Sequence, residues 1–161
     1  MLTAACAAAA QPTDIDKCAD VELAKALRMA SCNTLIGDRK QADDVRADAY
    51  GNRGSIHDEE GRHDAAIADF TQALKLVPHD PVVLIARGNA HDSHGDKQKA
   101  IADYTEAIRI NPGDAAPYFN RAAVYQELGE VTKAEVDYKK ALEIDPDFDS
   151  AKMGLTELNS K

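Results

Sequence analysis

The chain has 161 residues, 44% apolar and 29% charged, with 28 acidic against 19 basic side chains and a formal net charge of −9 at neutral pH. That length suits one domain or one short array of repeats, and the composition is neither that of a disordered chain nor that of a membrane-spanning one. So acidic a chain lacks the concentrated basic field that a nucleic-acid surface needs, and with aromatics at 5%, no Trp and abundant Ala, its core has to come from small residues at close helix contacts.

Residues 1–12 contain no Lys or Arg and only Leu2 as a large apolar residue. They read either as the last part of a signal peptide, with Ala7 to Ala10 before Gln11 and Pro12 as the small residues of a cleavage region, or as an Ala-rich tail. Cys6 has Thr3 three residues before it, a poor match to a lipid-attachment signal. Residues 13–46 form an atypical helical segment. Its Cys18 and Cys32 have the spacing of neither a zinc knuckle nor a redox pair. An exported chain would pair them and a cytosolic one would keep both reduced. Were the helix carrying Cys32 to begin at Val21, the intervening rise would be about 16 Å, too far for the preceding residues to fold back; a bond needs a start near residues 23–25. The disulfide is expected if the mature chain begins near Gln11. A polar break follows over residues 37–44, before an array with a regular period.

Residues 47–80, 81–114 and 115–148 align on one another at a shift of 34. The columns include Arg53, Arg87, Arg121; Gly61, Gly95, Gly129; Ala66, Ala100, Ala134; Asp69, Asp103, Asp137; Phe70, Tyr104, Tyr138; and Pro78, Pro112, Pro146. A period of this size means a repeated supersecondary unit. Each block predicts two helices. Tyr50, Gly54, His57 and Gly61 fall at helical intervals on one face, and the three late glycines stand where a first helix must stop. The second helix carries Ala66, Ile67, Phe70, Ala73, Leu74 and Val77 as its apolar stripe, and the prolines end it. Residues 149–161 predict a capping helix, with Ala151, Leu155 and Leu158 at helical spacing.

These columns resemble the tetratricopeptide repeat, with its small residue in the first helix, Gly at the turn, Ala and an aromatic in the second helix, and Pro at the end. The resemblance implies an all-α, right-handed solenoid whose first helices line a concave groove for peptides or partner helices. Residues 23–36 resemble a degenerate second helix with Cys32 in the aromatic place, as in small exported bacterial proteins of this type, which implies a periplasmic or exported location. Two departures stand out. Glu135 replaces the apolar Ile67 and Ile101, and His57 and His91 stand where Tyr125 carries an aromatic.

Chemistry-bearing candidates are few. His57, Asp58 and His63, and likewise His91, Asp92 and His94, lack zinc-helix spacing, and no phosphate loop or nucleophile motif appears, so neither a metal, a cofactor nor an enzymatic activity is expected. Each Arg of the repeat column has an Asp 16 residues later, which predicts structural pairs Arg53–Asp69, Arg87–Asp103 and Arg121–Asp137. The face left on the first helices carries Asn52, Ser55, Asp58 and Glu59; Ile85, Asn89 and Asp92; Phe119, Asn120 and Glu127. It reads as a binding groove or as an ordinary solvated helix face. As a groove, its amides suit a peptide backbone, Ile85 and Phe119 serve as apolar anchors, and the carboxylates favour a neutral or basic partner segment. The carboxylate-clamp version of the family uses Lys and Arg here; this chain has Gly51, Ser55, Ala86, Ala116 and Asn120, so such a clamp is not expected. The repeats hold most of the acidity, 19 acidic against 11 basic residues over 47–148. The leading expectation is therefore a non-enzymatic interaction module without a membrane span, the rival a small structural protein whose repeats build a homo-oligomer or envelope assembly.

Overall fold

The structure, a computed structural model, describes residues 13–160, so the signal or tail reading of residues 1–12 and the question of Cys6 lie outside it. Among the described residues all regular structure is helical: α1 (Asp14–Ala19), α2 (Lys25–Gly37), α3 (Asp43–Glu59), α4 (His63–Leu76), α5 (Pro81–His94), α6 (Lys97–Ile110), α7 (Ala115–Glu127), α8 (Val131–Ile144) and α9 (Asp149–Asn159). Consecutive helices pack as hairpins, and α1, α3, α5, α7 and α9 form one layer while α2, α4, α6 and α8 form the other. The array is a solenoid of helix pairs closed by α9.

The 34-residue columns are the seam of this stack. Ala66, Ala100 and Ala134 are fully buried, and so, within 3%, are Phe70, Tyr104 and Tyr138. The aromatic ring of each second helix lies directly on a first helix. A Cβ built on Gly54 would sit 2.8 Å from Phe70, and one on Gly88 would sit 2.6 Å from Tyr104, so the missing side chain is what lets the two helices approach. Between first and second helices the turn has one form. Gly61, Gly95 and Gly129 take φ of 72°, 94° and 73°, and the amide after each donates to a carbonyl five residues back, at His57, His91 and Tyr125. This Schellman closure satisfies carbonyls that the helix end leaves open. Asp80 and Asp114 cap α5 and α7 through their carboxylates, and Pro81 takes the first helical position, where no amide donor is required.

Upstream of the repeats the array differs from the sequence-based expectation in two respects. The Asp-rich lead forms a helix of its own, α1, fixed by a reciprocal capping box between Thr13 and Asp16. The break expected over residues 37–44 shrinks to residues 38–42, because Asp43 and Asp44 supply acidic residues to the first turn of α3, where the helix dipole favours them. Helices α1 and α2 are thus a shortened extra pair stacked on α3.

Candidate functional site

The arginine column sits inside the stack. Arg53 donates from Nε and Nη2 to both oxygens of Asp69 at 2.7 and 2.6 Å, Arg87 to Asp103 at 2.8 and 2.7 Å, and Arg121 to Asp137 at 2.7 and 2.9 Å. The three carboxylates are nearly buried, at 6%, 6% and 4% exposure. Each arginine also uses Nη1, on a residue of the preceding pair: Arg53 on Asn33, Arg87 on Thr71 and Arg121 on Thr105. One planar fork therefore joins a first helix to its own second helix and to the second helix before it, a geometry that an ammonium could not supply. The guanidinium groups are committed to the stack, so the column offers no anionic ligand a free positive stripe.

The Asn33, Thr71, Thr105 series escapes a reading of the sequence, although Thr71 and Thr105 do recur at the repeat period. It aligns Cys32 with Phe70. Cys18 and Cys32 are joined by a disulfide, with both residues buried and their Cα atoms 4.9 Å apart. The bond occupies, in the shortened pair, the place that the small-residue-on-aromatic contact occupies in the repeats.

The histidines stay apart. His57 accepts from Arg62 at 2.9 Å, His63 lies 2.8 Å from Asp58, His79 lies 2.9 Å from Glu106, and His91 is 8% exposed with no hydrogen bond at Nδ1, the nearest carboxylate, Asp96, standing 3.6 Å away. Burial holds His57 and His91 below the ordinary imidazole pKa. No three His, Cys, Asp or Glu side chains among the described residues converge as metal ligands.

The outer side of the first-helix layer holds the rest of the candidates. Asn52 and Ser55 border a cleft of about 260 Å³ between α1, α3 and α5. Asn89 Oδ1 accepts from Tyr104 at 2.8 Å and from Asn120 Nδ2 at 3.0 Å, tying α5, α6 and α7 together at mid-face. A second cleft, of about 530 Å³ and bordered by Phe119, Gln126, Glu127, Met153 and Glu157, lies between α7 and α9. Other candidates are engaged within the chain. Ile85 packs on the Ala100–Tyr104–Val124 cluster, and the ring of Phe119 lies against Tyr138 and Phe148, with centroids 5.9 and 5.0 Å away. These two are therefore more core than free anchors. Asp58 faces His63, Glu59 pairs with Lys25 at 2.8 Å, and Lys97 holds both Asp92 and Glu127 at 2.6 Å. Two lysines, Lys25 and Lys97, thus offset part of the negative field expected from those four carboxylates. At the other end Asp48 is exposed, and its carboxyl is pushed upward by partial burial and by the charges of Asp44 and Asp80.

No helix among the described residues is long and apolar enough to cross a membrane. No curated protein matches it in sequence. Among solved structures, the first TPR of Spaghetti (RPAP3) bound to the HSP90 peptide SRMEEVD is 24% identical, with a TM-score of 0.71 over 74% of this chain and 94% of that one. MamA is 20% identical, with a TM-score of 0.77 over 84% and 77%, and the Sgt2 TPR domain from Aspergillus fumigatus 24% identical, with 0.70 over 77% and 83%. The tetratricopeptide repeat profile matches residues 47–80 and 115–148, and a second TPR profile matches residues 88–129, so the matches cover most of the solenoid and the chain belongs to the tetratricopeptide repeat family.

Proposed function

We propose that the chain is a non-enzymatic interaction module that takes an extended or helical segment of another protein, neutral or basic, along its first-helix face. The observation that carries this reading is the layout of that face: a cleft at each end and the Asn89–Asn120 amides between them. The Spaghetti domain holds an acidic peptide. Here Gly51, Ser55, Ala86, Ala116 and Asn120 leave the face without the cations that a carboxylate clamp uses, and the repeats are net acidic, which supports a partner of the opposite sign. The disulfide supports action in an oxidising compartment, such as the periplasm.

Peptides selected from a random library, followed by amide chemical-shift mapping, test the reading. Shifts should cluster on α3, α5, α7 and α9, and Asn89→Ala with Asn120→Ala should weaken binding while helical content is kept. Shifts confined to α4, α6 and α8 would overturn it. A second reading, a homo-oligomer held by the repeats, draws on the exposed Leu128, Val131 and Val136 around the α7–α8 turn. Sedimentation velocity over a range of concentrations separates the two.

A further inference from the structure

The two clefts of the first-helix face differ in kind. The one between α7 and α9 is rimmed by Gln126, Glu127 and Glu157 and is the wider and more polar. The other, between α1, α3 and α5, has an apolar interior made by Leu35, Val45, Phe70, Val83 and Ala86, with Ile15 and Val82 at its lip, 48% and 73% exposed. Its α1 wall exists only because the shortened pair is present. Cys18 and Ala19 line that wall, and the Cys18–Cys32 bond ties it to α2.

Two carboxylates, Asp48 and Asp80, border the same cleft. Asp80 is occupied in capping α5, accepting from the amides of Val82 and Val83. Asp48 has no cation within 4.0 Å among the described residues, and Asp44 stands one helical turn before it, an arrangement in which like charges repel. Burial and the charges of Asp44 and Asp80 raise the Asp48 pKa, so the site would be relieved by a positive charge brought from outside. An apolar cleft with room for a large side chain therefore lies beside a negative patch.

Resting on the interaction-module reading, we infer that this cleft is an anchor subsite for a large apolar side chain on a segment of another protein that carries Lys or Arg beside it. The apolar group displaces water from the α1–α3–α5 cavity and the cation lies over Asp48 and Asp44. Selectivity for apolar-basic segments then arises outside the amides at mid-face, at the end of the array that the disulfide builds.

The test uses the full oxidised chain and labelled Gly/Ser peptides with a central Leu flanked by Lys, with Leu→Ser and Lys→Glu peptides as controls, read by fluorescence anisotropy at low and raised salt. Gly51→Leu places a larger side chain on the wall of the cleft, where its Cβ would meet only Val83, at 3.9 Å. It should weaken binding about tenfold or more, the loss expected when an apolar side chain is shut out of its pocket. Asp48→Asn should weaken binding about threefold and flatten the salt dependence. Circular dichroism checks that both variants keep the helical content; Ala86→Leu replaces Gly51→Leu if that variant is misfolded. Equal binding of the Leu and Ser peptides, or binding untouched by both variants, would overturn the inference. Should peptides still map to the first-helix face near Asn89 and Asn120, the broader proposal would stand without it. A concentration-dependent dimer abolished by Gly51→Leu would assign the cleft to a second copy and also overturn it.

Discussion

At the scale of single residues, the arginine fork shows why a column of charges can be structural in an acidic repeat protein. Arg87 has three of its donors on Asp103 and Thr71, so the side chain joins three helices at once. Removing it as Arg87→Ala leaves Asp103 nearly buried without a counter-charge, which should destabilise the fold by about 3 kcal/mol. Arg87→Lys keeps the charge but loses the paired geometry and should recover only part of that. Thr71→Val removes one neutral acceptor and should cost about 1 kcal/mol. Urea unfolding of the three variants checks the order. His91 gives a second residue-scale prediction. Burial disfavours its charged form, Lys99 and Arg87 add to that effect, and Asp103 and Asp96 oppose it without reversing it, so its folded-state pKa lies below the ordinary 6.5. The unfolded chain then binds more protons in the window below that value. Stability from the neutral imidazole is full above about pH 6.5 and is lost as the pH falls toward the folded-state pKa. The melting temperature should therefore drop between about pH 7.5 and 5.5, and His91→Tyr, which places the Tyr125 side chain at the same column, should reduce the slope; an unchanged slope would remove His91 as its source.

At the scale of helices, the repeats were legible because each column answers a single physical demand, with Gly where φ is positive, Ala where helices touch, an aromatic over a side-chain-free position, and Pro where the helix ends. The shortened pair was legible only in half. Residues 23–36 show the apolar stripe of α2, whereas α1 has six residues with Cys18 alone buried, too little periodicity to read. The face residues were the least legible. The Asp58–His63 and Asp92–Lys97 contacts repeat at 34 residues, but nothing in that spacing announces that Lys97 also reaches Glu127, and nothing in Phe119 announces Phe148, because those two contacts cross helices at separations that the period does not govern. The disulfide accounts for how so short a helix stays in place. It closes a loop of 14 residues, worth about 3 kcal/mol in chain entropy. Reduction, or Cys18→Ser with Cys32→Ser, should lower hydrogen-exchange protection over residues 14–37 while leaving residues 47–148 protected. Loss of protection through the whole array would instead make the first pair the nucleus of the fold.

At the scale of the whole molecule, the first and last helices of the described array are held in place by different means. The amino end relies on a covalent bond across a small pair. The carboxyl end relies on α9, whose Ala151 is fully buried and whose Leu158 is 7% exposed against the Ala134–Tyr138–Ala141 cluster. Gly154 performs there what Gly54 and Gly88 do inside the array, since a Cβ on it would lie 2.6 Å from Tyr138. The cap therefore extends the packing rule of the repeats by one more helix and then stops it with a polar outer side: Lys152, Thr156 and Glu157 are exposed. Ala151→Asp places an unpaired charge in this contact and should cost about 3 kcal/mol, chiefly by releasing α9. The uncovered side of α8 would then present Tyr138 and Ala141, an apolar surface of the kind that drives self-association. Light scattering coupled to size exclusion should report a rise in mean mass for Ala151→Asp and none for Met153→Asp, whose side chain is 63% exposed. A monomeric Ala151→Asp variant with an unchanged melting temperature would mean that α8 closes the array without its cap.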